Sequence, residues 1–245
     1  MGTLSIVSTP IGNLSDISLR AIQTLFSVDV IACEDTRRTG MLIQELTKRY
    51  IAMPEFASQI AGTKRPPKLM RYDDRTEQTA TPELLDLLAQ GKSVALVSDA
   101  GTPLISDPGY ILVREARKHN VAVVSIPGAS AVLTALAGSG LPANTFMYLG
   151  YPPEKQSKRV TLFRSLRTIH EVIATTYVLY CAPHKLRSTF DDLNQTLGDI
   201  DIVVARELTK MHEEYWTGTL TEAMQHFEDP KGEFVLLLHL SDATG

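Results

Sequence analysis

Through its first half the chain repeats one unit: an apolar run of four to six residues, a polar turn, then a segment with helical spacing. Strands are predicted at Leu4–Ser8, Val28–Cys33, Lys68–Tyr72, Val94–Ser98 and Val121–Ile126, with helices at Ser18–Leu25, Thr39–Leu46, Pro82–Gln90 and Tyr110–His119. In the last of these, Ile111, Leu112, Val113 and Ala116 alternate with Arg114, Glu115, Arg117 and Lys118, as in a helix that covers a sheet. Strands separated by helices call for crossover connections, and hence a mostly parallel sheet.

Past Pro127-Gly128 the pattern changes. A small-residue helix at Ser130–Ala137 is expected to bridge two lobes. Strands are then expected at Thr145–Leu149, Tyr177–Cys181, Ile202–Ala205, Glu213–Gly218 and Glu233–Leu240, the last ones consecutive, as in a mixed sheet. At 245 residues and 44% hydrophobic composition the chain has enough apolar surface for two such α/β lobes of αβα layering, divided as 1–128 and 129–245. The uncharged stretch from Val121 to Phe146 is broken by Pro127-Gly128, so it reads as strand, turn and helix rather than a membrane span. No basic leader precedes the first strand, and two cysteines at unrelated positions, Cys33 and Cys181, make neither a disulfide scaffold nor a zinc cluster. A cytoplasmic chain with no metal and no membrane contact is expected.

The chemistry lies in the loops that follow the strands. Ser8-Thr9-Pro10-Ile11-Gly12-Asn13, the run from Ser98 to Gly109, and Ile126-Pro127-Gly128-Ala129-Ser130-Ala131 are rich in Gly, Pro and small polar residues. Glycine admits close backbone approach and proline stiffens a turn, so such loops suit a ligand held by main-chain groups. In an open parallel sheet they meet at the carboxyl ends of the strands, where ligands bind. Turn and cap preferences explain any one of them equally well; together they point to a cleft. No dinucleotide fingerprint, phosphate-binding loop, zinc-protease motif or nucleophile elbow is present, which weakens nicotinamide, nucleotide-hydrolysing and metallohydrolase readings.

Charge is placed at strand ends as well. Glu34-Asp35-Thr36-Arg37-Arg38 follows the second strand and Arg206-Glu207-Leu208-Thr209-Lys210 follows the strand at Ile202. Helix capping and surface ion pairs account for such groups in many proteins; a site that moves a proton needs the same residue types.

The segments T-P-I-G-N-L-S-D-I-S-L-R-A at 9–21, E-D-T-R at 34–37, S-D-A-G-T-P-L-I-S-D-P-G-Y at 98–110, I-P-G-A-S-A at 126–131, A-P-H-K-L at 182–186, A-R-E-L-T-K-M-H-E-E at 205–214 and K-G-E-F-V-L at 231–236 occur in colinear order from Leu4 to Leu240. In these the chain resembles the ribosomal-RNA branch of the tetrapyrrole (corrin/porphyrin) methylase superfamily. The resemblance implies a homodimer of two-lobed subunits that uses S-adenosylmethionine to methylate the ribose 2′-hydroxyl of a decoding-centre cytidine in 16S ribosomal RNA. It also implies a cofactor site between the lobes. Asp99, Gly101, Thr102 and Ile105, with Ser130 and Ala131, would take the methionine part, Pro183, Arg206, Gly218 and Thr219 the adenosine, and Gly12 would let the first loop approach. Glu34, Asp35, Arg37, Glu207 and Lys210 become the catalytic candidates, unranked. Relatives carry a histidine- and glutamate-rich segment where this chain has Arg71 to Gln78.

The net charge of −4 argues against a general nucleic-acid coat, so RNA contact requires a local patch. Lys155, Lys158, Arg159, Arg164 and Arg167 form one basic run, opposed only by Glu154; Lys64, Arg65, Lys68, Arg71 and Arg75 form another. Two alternatives stay open: a methyltransferase acting on a porphyrin or corrin precursor, and a ribosome-assembly factor that binds RNA without catalysis.

Overall fold

The computed structural model describes residues 1–50 and 66–240, and the chain divides into two compact units, Met1–Ser130 and Ala131–Gly245. The division falls two residues beyond the expected one.

In the first unit, β1 (Thr3–Val7), β2 (Val30–Cys33), β3 (Lys68–Arg71), β4 (Val94–Val97) and β5 (Ala122–Ile126) form a five-stranded sheet in the order β3-β2-β4-β1-β5, parallel throughout. Helices α1 (Leu19–Ser27), α2 (Thr36–Tyr50), α3 (Glu77–Ala89) and α4 (Tyr110–Lys118) cover it. Successive strand residues point to opposite faces, so Leu4, Ala32 and Leu96 pack with Leu84 and Leu88 of α3 and Leu112 of α4. Val7, Ile31 and Val97 pack with Ile22 and Leu25 of α1 and Leu46 of α2. Burial on both faces is why β4 is uninterruptedly apolar. The connections leaving the neighbours β2 and β4 diverge, to β3 on one side and β5 on the other, the arrangement that favours ligand sites at the carboxyl ends of such strands.

In the second unit, β6 (Phe146–Tyr148), β7 (Thr176–Cys181), β8 (Asp201–Arg206), β9 (Glu214–Thr219) and β10 (Phe234–His239) form a mixed sheet in the order β6-β7-β10-β8-β9; β6 and β7 are parallel and the other pairs antiparallel. α5 (Ala131–Gly138) packs on β10. α6 (Gln156–Val172), α7 (Pro183–Leu197) and α8 (Leu220–His226) share a core with the sheet through Phe163, Leu166, Phe190, Leu193, Leu220 and Leu236.

The strand pattern of the sequence does not mark α6, α7 or α8. In α6 the apolar residues are separated by Lys158, Arg159, Arg164 and Arg167, which hides the helical stripe. α2 is longer than expected because Asp35 organises its entry: the Asp35 carbonyl accepts the Thr39 N–H at 3.0 Å, and its Oδ1 accepts the Arg37 N–H at 2.8 Å. Among the described residues no helix is long and apolar enough to cross a membrane.

Candidate active site

The three Gly/Pro loops of the first unit are tied together at one sheet edge. Thr9 and Gly101 exchange main-chain hydrogen bonds, at 2.8 Å from the Thr9 N–H and 3.0 Å from the Gly101 N–H. The Thr102 hydroxyl lies 2.9 Å from the Ser8 hydroxyl and donates to the Ala129 carbonyl at 3.1 Å, so one side chain joins all three loops. Gly128 lies so close to the first loop that a Cβ there would come within 2.9 Å of the Ser8 Cβ. In the long loop Gly101, Leu104, Ser106 and Gly109 all have positive φ, 81°, 73°, 65° and 139°. Left-handed non-glycine residues in such number mark a loop whose path is imposed by its surroundings. Gly12 and Ile105 are exposed at this edge. Ser130 ends the first unit and Ala131 begins α5.

Carboxylates converge on the same edge. Glu34, after β2, accepts the Asp99 N–H at 3.0 Å, and Asp99 takes the Asp35 N–H at 3.3 Å and the Arg38 guanidinium at 2.8 Å. Burial, assisted by the charges of Asp107, Asp99 and Asp74, pushes the Glu34 carboxyl up to about 7 against the hydrogen bond from Asp99. Burial likewise raises Asp107 to about 6, with Ser98 opposing and Asp99 and Asp74 assisting.

These environments rank the catalytic candidates. A general base works best when its pKa lies near the working pH, and Glu34 meets that condition. Asp35 is held below the ordinary carboxylate range by hydrogen bonds from Arg37, whose side chain is 88% exposed. In the second unit Glu207 is lowered by its bond from Lys210. Lys210 is partly buried, which opposes its charge, yet Glu207 at 2.9 Å and Glu233 at 3.0 Å raise its pKa and keep it protonated. Asp107 was not among the sequence candidates; its signal is the second aspartate of S-D-A-G-T-P-L-I-S-D-P-G.

Pro183, the first residue of α7, follows β7, and Arg206 ends β8; these two strand ends lie at one edge of the second sheet. Arg206 donates to the Lys231 carbonyl at 2.7 Å and pairs with Glu214 at 3.3 Å. Gly218 and Thr219 do not join them. β9 runs antiparallel to β8 and pairs Thr219 with Asp201, which puts this dipeptide at the opposite edge of the sheet. Thr219 caps α8 in a reciprocal box with Glu222, and a Cβ at Gly218 would come within 2.7 Å of the Trp216 ring. Both residues are explained by local structure, and the expected adenosine contact from them is corrected.

The basic run on α6 also needs one correction. Lys155, Lys158, Arg164 and Arg167 are exposed, although Arg167 donates to the Leu197 carbonyl at 3.0 Å. Arg159 is 6% exposed and its Nε donates to Asp192 Oδ2 at 2.6 Å, so its guanidinium is a core group that cannot meet a phosphate. In the other run Lys64 and Arg65 lie outside the described residues; Lys68 pairs with Glu83 at 3.5 Å, and Arg71 donates to Asp73 at 2.7 Å. Among the described residues no group of His, Cys, Asp and Glu has the arrangement of a metal site.

Residues 3–224 match the tetrapyrrole (corrin/porphyrin) methylase family. A ribosomal RNA small subunit methyltransferase I of Synechocystis sp. is 44% identical over 241 residues, covering 97% of this chain and 79% of that protein. A protein of the same name from Thermotoga maritima is 42% identical over 240 residues, covering 97% and 98%. Among solved structures, uroporphyrin-III C-methyltransferase from Thermus thermophilus, complexed with S-adenosyl homocysteine, superposes with a TM-score of 0.59 at 16% identity over 96% of this chain and 97% of that one, a likeness of fold.

Proposed function

The chain belongs to the tetrapyrrole (corrin/porphyrin) methylase family, among the ribosomal RNA small subunit methyltransferases I, and we propose that it moves a methyl group from S-adenosylmethionine to a ribose 2′-hydroxyl. Small-subunit ribosomal RNA is the substrate and a decoding-centre cytidine the target. The observation that carries this reading is Glu34, a half-buried carboxyl at about 7, bonded to the Asp99 N–H at the carboxyl ends of β2 and β4.

The residues present fit the cofactor. Its methionine end carries an ammonium and a sulfonium, and the edge offers carboxylates whose burial and mutual repulsion a bound cation would relieve. The loops are also tightly drawn together there, by the Thr9–Gly101 pair and by Gly128, which packs against Ser8 with no room for a side chain. Asp99, Gly101, Thr102, Ile105, Ser130 and Ala131 would hold the methionine end, and Pro183 and Arg206 the adenosine.

When bound, S-adenosylmethionine supplies an already activated methyl group. The protein's work is to position the acceptor oxygen, keep out water and take its proton. Glu34 would take that proton from the acceptor hydroxyl as its oxygen is methylated, which leaves the ribose neutral and the carboxyl protonated. The Asp99 N–H and the Asp99–Arg38 pair fix the end of β4 against Glu34. Lys210, kept cationic by Glu207 and Glu233, is suited to a phosphate or a developing oxyanion.

A homodimer acting in the cytoplasm completes the reading; light scattering at micromolar concentration should return twice 27.0 kDa. The function itself is tested with radiolabelled S-adenosylmethionine and unmodified small ribosomal subunits. Label should enter the RNA with the parent chain and fall by roughly 10²–10⁴-fold with Glu34→Gln, the range of a lost general base. Equal labelling by both would remove Glu34 from the reaction.

A further inference from the structure

Three tyrosines gather where β6 and β7 end. Tyr148 and Tyr180 meet edge to face with ring centroids 5.1 Å apart, and Tyr151 meets Tyr180 in the same way at 5.5 Å. The parallel ladder brings them together. It continues past β6, with the Tyr180 N–H donating to the Gly150 carbonyl at 3.0 Å. Gly150, at φ 67°, then turns the chain away, and Tyr151 emerges 59% exposed.

The segment that follows is held from below. Pro152 and Pro153 restrict its backbone. The buried Arg159 guanidinium donates to the carbonyls of Pro153 and Glu154, both at 3.1 Å, while its ion pair with Asp192 anchors it in the core. A core arginine thus fixes the loop between Tyr151 and α6. Beyond that clamp stand two exposed cations, Lys155 and Lys158, with Glu154 the nearby carboxylate in sequence.

We propose that Tyr151 is a stacking platform for an unpaired base of the RNA substrate, with Lys155 and Lys158 meeting the phosphates beside it. The inference rests on the RNA reading above and names the surface that does the binding. Stacking on an aromatic ring together with cations along the backbone is the chemistry of single-stranded RNA recognition. A loop clamped in advance loses little freedom when it binds. The platform lies at the same sheet edge as Pro183 and the 206–210 loop, because β6, β7 and β8 all end there.

The test is the affinity of small ribosomal subunits for fluorescein-labelled protein between 50 and 200 mM salt. Tyr151→Ala should weaken binding about 5- to 100-fold, and Tyr151→Trp should keep it. Neither change alters the slope of log affinity against log salt, since no charge is lost. Lys155→Gln with Lys158→Gln should make that slope shallower by about 1.4, or about 0.7 for each single-strand phosphate contact. If the parent binds and Tyr151→Ala binds equally well, the platform is overturned and the RNA reading stands. If the parent does not bind, both fall. A halved mass for Tyr151→Ala in light scattering would assign the ring to a contact between copies and overturn the platform.

Discussion

Glu34 accepts the main-chain N–H of Asp99 at 3.0 Å, and this one bond joins the end of β2 to the start of the long loop after β4. The carboxyl is thereby placed at the edge where Ser8, Thr102 and Ala129 join the other loops, among groups that raise its pKa.

Because Glu34 must be ionised to accept a proton, kcat/KM, which reports the ligand-free protein, should rise with pH through about 7 and level off above it. Asp107→Asn removes one of the negative charges that hold Glu34 up, so the limb should move to lower pH with the plateau retained. An unshifted limb would mean that Asp107 does not act on the titrating group.

The same carboxyls make stability depend on pH. Glu34 and Asp107 have folded pKa values of about 7 and about 6, above their ordinary 4.5 and 3.8, so the native state holds more protons than the unfolded chain between those limits. Their contribution is fully present below about pH 4 and is lost as pH rises through 6 to 7. Glu34→Gln should therefore raise the thermal midpoint at pH 8 and leave it nearly unchanged at pH 4, as followed by circular dichroism. A lower midpoint at pH 8 would show that the ionised carboxylate is stabilising.

Thr102→Val deletes the hydroxyl shared by Ser8 and the Ala129 carbonyl. Stability should fall by about 1 kcal/mol. Calorimetry should show weaker S-adenosylmethionine binding, since three loops lose their common tie. Unchanged affinity would place the cofactor elsewhere.

Arg159→Ala leaves Asp192 buried with its Arg159 partner gone and should cost about 3–5 kcal/mol, while Arg159→Met combined with Asp192→Leu should recover most of that loss. Urea unfolding distinguishes the two variants. An Arg159→Ala chain as stable as the parent would contradict the clamp.

The sequence is most informative where local chemistry and tertiary position agree. The alternation of strand and helix is enough to read the first unit, because parallel strands buried on both faces are plain apolar runs such as Val94–Val97. The loops at Thr9, Gly101 and Gly128 are likewise visible as glycine and proline after strands. Arg159 shows what is not visible: a basic residue within a basic run reads as surface, and only Asp192, 33 positions away, reveals it as core. Gly218-Thr219 reads in the sequence as the end of a strand, like the places where the cofactor loops begin, yet strand direction decides which edge it reaches, and direction is a property of pairing with β8. Asp107 is not legible as a titrating group because its raised pKa comes first from burial, with Asp99 and Asp74 assisting, and burial is a tertiary property.

The central claim is that the methyl group goes to a ribose oxygen of small-subunit RNA. It is tested most directly by digesting that RNA to nucleosides after incubation with protein and isotopically labelled S-adenosylmethionine, and reading the label by tandem mass spectrometry. The account predicts a labelled cytidine whose fragmentation retains the methyl on the sugar. A label on the base fragment, or RNA without label, would contradict it.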